Sequence, residues 1–432
     1  MLHVLRAAWP LFLGMAFLML GNGLQGTLVG VRADIEGFAT VVTGVVMSGF
    51  YAGVLAGALL APELIGRVGH VRVFAAFAAL PSAAVLLHGI VVEPILWTAM
   101  RLVSGFSFAA LFIVAESWLN SETRNDARAR VLAVYMIVSA GGMASGQALL
   151  RVADPQGFVL FSVVSVLVSL AVVPMLLSTG PTPKLAPVGR LELHRLWRTS
   201  PLGVVGVATH GVVSGAVLGM GAVFARQSGL ATADVATFMF AILLLAMLGQ
   251  FPLGFLADRL DRRLVIIATA VAAGALGIVA GLAGGTLGLV LVGLAAALGF
   301  PLYSVSVAHT NDHLDPTAMV AAAGGLTMLN GLGAAVGPFA VSLVMSAVGP
   351  AGFAWFLGVV LAALAVFGVY RTLRRAPVPL AAQGPTVVVP SASPVATAIA
   401  QEAAIRHMEA AAAQARERDD SAAASVDVAG QP

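Results

Sequence analysis

The chain has 432 residues, 59% of them hydrophobic and only 10% charged, where soluble globular proteins carry roughly 25% charged residues. With a mean hydropathy of +0.97, this excludes an ordinary soluble enzyme. There is no cysteine, which removes disulfides, thiolate metal sites and a catalytic thiol from consideration. The net charge of +3 informs topology in a chain this apolar and does not argue for nucleic acid.

Taken in order, the first apolar run covers approximately Trp9 to Val31. It is longer than a signal-peptide core and no small-residue cleavage site follows it, so it reads as a first span. Further runs cover about 41–62, 73–92, 95–118, 131–150, 157–178, 201–223, 235–256, 264–283, 286–308, 318–346 and 351–370. At about 20 residues per crossing, the chain is predicted to be an all-α integral membrane protein of twelve transmembrane helices.

The stretch 179–200, with Pro181, Pro183, Pro187 and four basic residues, divides the spans six and six. The predicted organisation is a first six-helix bundle over 1–178, a cytoplasmic linker over 179–200, a second bundle over 201–372 and a tail over 373–432. That tail is first Pro-rich and then Ala-rich, short of the bulky residues a core needs; it reads as a lone solvated helix or as no stable structure. Placing both termini in the cytoplasm assigns 19 of the 23 basic residues to that side and leaves Arg32, Arg151 and Arg226 outside, as the positive-inside rule requires. All five Trp residues fall near predicted span ends, where an amphipathic ring suits the headgroup region.

Sliding the second half onto the first by 192 residues superimposes Gly249 on Gly57, Arg259 on Arg67 and Val265 on Val73. The halves read as repeats, an arrangement that suits a carrier whose two bundles rock about a site at the midplane. Arg101 lies inside the fourth span. A charge there faces protein or a watery cavity and has a partner or a task, unless it reaches the nearby outer interface by snorkelling. Asn22, Gln25, His88, Gln147, His210, Gln250 and Asn330 are the remaining large polar groups within spans, with Tyr303 and Ser306 adding hydroxyls on span ten. Each is a cavity group or an interhelical hydrogen-bonding group, and His210 is placed to carry a proton.

Two loops and one span carry a resemblance. Gly254-Phe-Leu-Ala-Asp258-Arg259-Leu-Asp261-Arg262-Arg263 follows span eight, and the first half holds Gly57 through Gly66-Arg67-Val-Gly69-His70-Val-Arg72. Together with Arg101-Leu-Val-Ser-Gly105, these resemble the signatures of the major facilitator superfamily over about 1–372. The second-half loop departs at Asp261, where the family has Gly, and the first-half copy carries Gly66 where Asp is expected. Ala115-Glu116-Ser-Trp-Leu-Asn120, Gly249-Gln-Phe-Pro-Leu-Gly254 and Gly299-Phe-Pro-Leu-Tyr303 are most similar to the bacterial YcaD-like branch, whose substrate is unassigned.

The resemblance implies two six-helix pseudo-repeats, with spans one, four, seven and ten lining a central cavity. It implies substrate-binding roles for Asn22, Gln25, Arg101, His210, Tyr303, Ser306 and Asn330. A gating latch would comprise Gly57, Arg67, Gly69, Arg72, Glu116, Gly254, Asp258, Arg259, Arg262 and Arg263, with Glu116 pairing to Arg67, Arg72 or the 124–130 cluster and proton carriage as its minority role. The implied function is secondary active transport of a small solute across a bacterial inner membrane by alternating access, proton-coupled and with a weak indication of efflux. The expected protein is a monomer in the lipid bilayer with no cofactor, no metal, no catalytic residues and no nucleic-acid partner. A membrane receptor or scaffold signalling through the tail is the rival reading. A membrane enzyme would have only His309, Asp312, His313 and Asp315 to work with.

Overall fold

The structure, a computed structural model, describes residues 2–122, 128–176, 192–380, 383, 384, 386, 401, 402 and 405. The six spans of the first half are α1 (Leu2–Ile35), α2 (Thr40–Val68), α3 (His70–Ile90), α4 (Pro94–Glu122), α5 (Arg128–Ala148) and α6 (Val159–Leu176). A short α7 (Leu193–Thr199) precedes α8 (Pro201–Gln227), α9 (Thr232–Arg259), α10 (Arg262–Ala283), α11 (Gly285–Gly299), α12 (Leu302–Asn311), α13 (Pro316–Val348) and α14 (Ala351–Thr372). Among the described residues twelve helical segments are long and apolar enough to cross a membrane, and the twelve predicted spans are all present. Most of the predicted linker, and most of the tail, lies outside the described residues.

The tenth span departs from expectation. It is predicted as one helix over 286–308, yet α11 ends at Gly299 and α12 begins at Leu302. Pro301 is the physical reason: it has no N–H to donate and its ring crowds the preceding turn. Broken helices at membrane depth are tolerated where they border protein or a cavity, and Phe300 at this break lines the central cavity.

Within the first half α1 packs on α5 and α6, α2 on α4, and α3 on α4 and α6; within the second, α8 packs on α13, α10 on α14 and α11 on α9. The halves meet along α2 with α13, α1 with α8, and α5 with α9. Small residues set the closest approaches. A Cβ built on Gly57 would lie 2.7 Å from both the Phe106 carbonyl oxygen and the Ala109 Cβ, so α2 presses directly on α4. The repeat partner Gly249 instead has Pro301 as its nearest neighbour, 4.0 Å away, and the duplicated glycines do different work.

Polar contacts join the halves at the face opposite the linker. Arg226 Nε is 2.7 Å from Asp34 Oδ2, and Gln227 Nε2 donates to Asp34 Oδ1 at 3.1 Å and to Thr40 Oγ1 at 3.3 Å. Arg151 Nε donates to the Ala233 carbonyl at 3.0 Å, and its Nη2 reaches Thr237 Oγ1. Two of the three arginines that the sequence separates from the rest therefore clasp one half to the other.

Candidate functional site

A cavity of about 270 Å³ lies between the halves, near the lower end of the range for small-molecule sites. Its wall is largely apolar, with Phe50, Phe112, Met19 and Met143 among its residues, and the polar groups Asn22, Tyr51, Arg101, Glu116, Tyr135, Gln147, Gln250, Thr327 and Asn330 also line it.

Arg101 is 2% exposed, its guanidinium carbon 4.3 Å from the centre of the Phe50 ring. It does not snorkel. Nε and Nη1 are buried without a hydrogen-bond partner, an arrangement that costs free energy unless a bound group supplies the acceptors. The sequence explains the geometry: Gly105 sits one turn after Arg101, and its missing side chain lets the Phe50 carbonyl of α2 come against α4. That contact brings the Phe50 ring over the guanidinium, a cation–π arrangement.

Glu116 shares the central cavity with Arg101. It is 2% exposed and lines the cavity, where the Tyr135 hydroxyl of α5 donates to its Oε1 at 2.6 Å. Arg67, one of the partners considered for Glu116, pairs with Glu63 at 2.5 Å on an exposed surface. The cause is helical phase: fifteen residues at 3.6 per turn return Glu116 to within about 60° of Arg101. One helix thus presents a cation and a carboxyl to the same cavity at two depths.

The other predicted binding residues divide into two layers. Asn22 and Asn330 join Arg101 on the cavity wall. His210 Nδ1 donates to Asn330 Oδ1 at 2.7 Å, and the His210 ring lies 5.2 Å from that of Tyr303. The Tyr303 hydroxyl in turn lies 3.4 Å from Thr327 Oγ1. His210 and Tyr303 therefore stand behind Asn330 and Thr327 rather than on the wall. Gln25 is fully buried and donates to Ser104 Oγ at 3.4 Å. Ser306 is fully buried against Gly206 of α8, and His88, hydrogen-bonded to the Ala84 carbonyl at 2.7 Å, packs beside Trp97.

The loop between α9 and α10 gathers the second-half latch residues. Arg262 is 1% exposed and reaches Asp312 Oδ1, the Gly384 carbonyl and, at 3.3 Å, Thr386 Oγ1. Asp258 lies 3.5 Å from Arg262 and accepts the Thr386 N–H at 2.7 Å. Arg259 lies over the Phe255 ring at 4.0 Å, and Gly254 has Thr386 as its nearest neighbour. The start of the tail thus straps this loop, a contact that composition alone could not reveal. In the first half, Gly69 makes the turn between α2 and α3 at φ +96°, while Arg67 and Arg72 are exposed.

The residue at which the loop departs from the family pattern has a task. Asp261 caps α10, accepting the Arg263 N–H at 3.0 Å, and its carboxylate pairs with the Arg263 side chain at 2.6 Å. Burial works to raise the Asp261 pKa, but the hydrogen bonds and charge of Arg263 outweigh it and hold the carboxyl below its ordinary value. Asp261→Ala is expected to lower stability by about 1 kcal/mol through the lost cap. A depressed carboxyl stabilises the fold above its unfolded-state pKa and loses that contribution as pH falls through the folded one. The difference in thermal midpoint between wild type and variant should therefore shrink on acidification, which thermal unfolding in detergent at a series of pH values measures. Asp312, buried against Arg262, is shifted the other way, burial raising its pKa more than the Arg262 charge lowers it. His309 and His313 stack edge to face at 4.9 Å, and no group of His, Asp and Glu able to hold a metal occurs among the described residues.

Two six-span halves, an apolar-walled cavity between them and a charged clasp at one end define a multi-pass membrane transporter. The chain belongs to the Major Facilitator Superfamily, which matches residues 11–311. It is similar to the Escherichia fergusonii protein named uncharacterized MFS-type transporter YcaD, 27% identical over 343 residues that cover 79% of this chain and 89% of that one. The Yersinia enterocolitica MFS-type transporter YE1530 is 28% identical over 346 residues, with the same shares covered. Among solved structures, the nucleoside transporter NupG aligns with a TM-score of 0.69 at 15% identity, covering 84% of this chain and 98% of NupG. A bacterial homolog of the human lysosomal transporter Spinster aligns with a TM-score of 0.65 at 15% identity, covering 92% of this chain and 96% of the homolog. The fold is shared with both.

Proposed function

We propose that the protein is a secondary active carrier of a bacterial inner membrane, with both termini in the cytoplasm, moving a small solute by alternating access driven by a proton gradient. The observation that carries this reading is the buried Arg101, whose Nε and Nη1 lack acceptors at the wall of the cavity between the halves. A solute bearing a carboxylate or other anionic group supplies them, so the substrate class is anionic or zwitterionic. Asn22 and Asn330 contribute donors and acceptors, and His210 fixes the orientation of Asn330.

Glu116 takes the proton-carrying role in this scheme. Tyr135 holds its carboxyl at the cavity wall, where a proton can be taken up when the cavity faces one side and released when it faces the other. The Asp34–Arg226 clasp closes the outer end in one state, and the loop of Asp258, Arg259, Arg262 and Arg263 contributes to closing the inner end in the other.

The test is a thermal-shift screen of the purified protein against small anionic and zwitterionic solutes, followed by flux of the hit in proteoliposomes with an imposed pH gradient. A bound solute raises the unfolding midpoint. Uphill flux that follows the gradient supports the reading, and flux indifferent to it contradicts proton coupling. In Glu116→Gln, gradient-driven accumulation is expected to vanish while solute exchange at equal pH persists; equal loss of both would move Glu116 into solute binding.

A further inference from the structure

A second polar cleft lies at the linker end of the second half, away from the central cavity. Arg263, Arg371, Arg375, His309 and His313 line it together with Ser200, Pro201 and Leu202. Three helices and the start of α8 bring these groups together: Arg263 opens α10, the histidines flank the end of α12, and Arg371 closes α14. The enclosed space is about 20 Å³, enough for about one water-sized group.

Three features give this cleft the chemistry of an oxyanion site. Ser200, the residue preceding α8, is 1% exposed, and its Oγ is buried without a hydrogen-bond partner and makes no cap bond. A buried hydroxyl left in this way costs free energy that an acceptor would recover. The first turn of α8 adds further donors: Pro201 has no N–H, but those of Leu202 and Gly203 lie ahead of the helical ladder, at the positive end of the helix dipole. Thirdly, the positive charge is in excess. Arg263 is matched by Asp261 at 2.6 Å, but among the described residues neither Arg371 nor Arg375 makes an ion pair. Arg375 is held in place by donating to the Thr199 carbonyl at 2.6 Å.

The surroundings set the depth. Trp197 and Tyr370 are about half exposed and Leu373 is 81% exposed, and Arg374 lies over the Tyr370 ring at 5.5 Å. Half-exposed Trp and Tyr beside Arg are the composition of the membrane–water boundary, and basic pockets between spans there suit anionic headgroups. We propose that this cleft is a phosphate oxyanion site, in which one phosphate oxygen enters to meet Ser200 Oγ and the α8 N-terminus while Arg371 and Arg375 hold the remainder at the mouth. At this depth the phosphate is that of an anionic phospholipid; free inorganic phosphate offers the same chemistry.

The full chain purified in detergent tests this. Its unfolding midpoint is followed while phosphatidylglycerol, phosphatidylcholine or inorganic phosphate is added, and lipid retention is counted by native mass spectrometry. Phosphatidylglycerol, but not phosphatidylcholine, is expected to raise the midpoint. Arg371→Gln should weaken the half-saturating concentration about tenfold, the loss of one charge-assisted bond, and Arg371→Gln with Ser200→Ala should remove the response. Ser200 caps nothing, so the variants should unfold at the wild-type midpoint in phosphatidylcholine alone. An equal response to inorganic phosphate with the same loss in the variants also supports the site and assigns it to free phosphate. No response to either probe, or a response unchanged in the double variant, overturns it.

Discussion

Arg101→Gln is expected to abolish solute transport while leaving a folded protein. Arg101 lines the cavity with Nε and Nη1 buried and without an acceptor among the described residues, and a charge-assisted hydrogen bond to a bound anionic group is worth about 1.5–3 kcal/mol. Two such bonds lost together would lower affinity by about a hundredfold or more. Stability should move the other way or not at all, since glutamine removes an uncompensated buried charge and keeps the stem over Phe50. Arg101→Lys should restore little, because a compact ammonium reproduces neither the fork nor the stacking on the ring. Flux in proteoliposomes and the thermal midpoint, measured on the same preparation, separate the two effects. Unchanged flux in Arg101→Gln would remove Arg101 from the site.

Gly105→Val is expected to fail at the level of folding. The Phe50 carbonyl occupies the place a Cβ would take at Gly105, and the facing glycine of α2, Gly53, is pressed in the same way against the Leu102 carbonyl. Backbone stands in the way on both sides, so no side chain can rotate aside, and α2 must move off α4. Overpacking of this kind costs about 1–3 kcal/mol or more, and in a membrane the close van der Waals fit of small residues is a main force holding helices together. The variant should appear in the membrane at reduced yield and unfold at a lower midpoint, with Arg101 losing its Phe50 cover. Gly66→Val is the control, because a Cβ there meets nothing within 4 Å. If Gly105→Val matched wild type in yield and midpoint, the α2–α4 crossing would not be the constraint described.

The span count, the six-plus-six division and the superfamily were legible in the sequence because hydropathy over about twenty residues dominates every other signal in a membrane protein. Arg101 and Asn22 were legible as cavity groups for the same reason: a polar group in a span needs a destination. That Glu116 shares the cavity with Arg101 follows from helical phase fifteen residues on, a relation that its nearness in sequence to the 124–130 basic cluster obscures. His210 and Tyr303 were placed one layer too far inward, since sequence gives the span but not whether a neighbour such as Asn330 stands between the ring and the cavity. Among 48 glycines the spacings Gly215 to Gly219 and Gly333 to Gly337 do not stand out, yet Gly215 meets Ala334 and Gly337 meets Val212 at the α8–α13 crossing. Chance frequency says nothing about which pairs face a helix. The tail strap was beyond reach, because the contact of Gly384 and Thr386 with Arg262 and Asp258 follows from where the chain returns, not from its composition.

Alternating access is the central claim, and the absence of cysteine makes it directly measurable, because introduced thiols can be spin-labelled without background. One pair, Ala39→Cys with Ser228→Cys, spans the halves beside the Asp34–Arg226 clasp. A second, Val68→Cys with Leu260→Cys, spans them at the linker face. All four positions are exposed. Distances from pulsed electron paramagnetic resonance in nanodiscs, at mildly acidic and mildly alkaline pH and with the screen's solute, should change in opposite senses: as the first pair separates, the second should close. Both distances staying fixed under every condition would contradict the account.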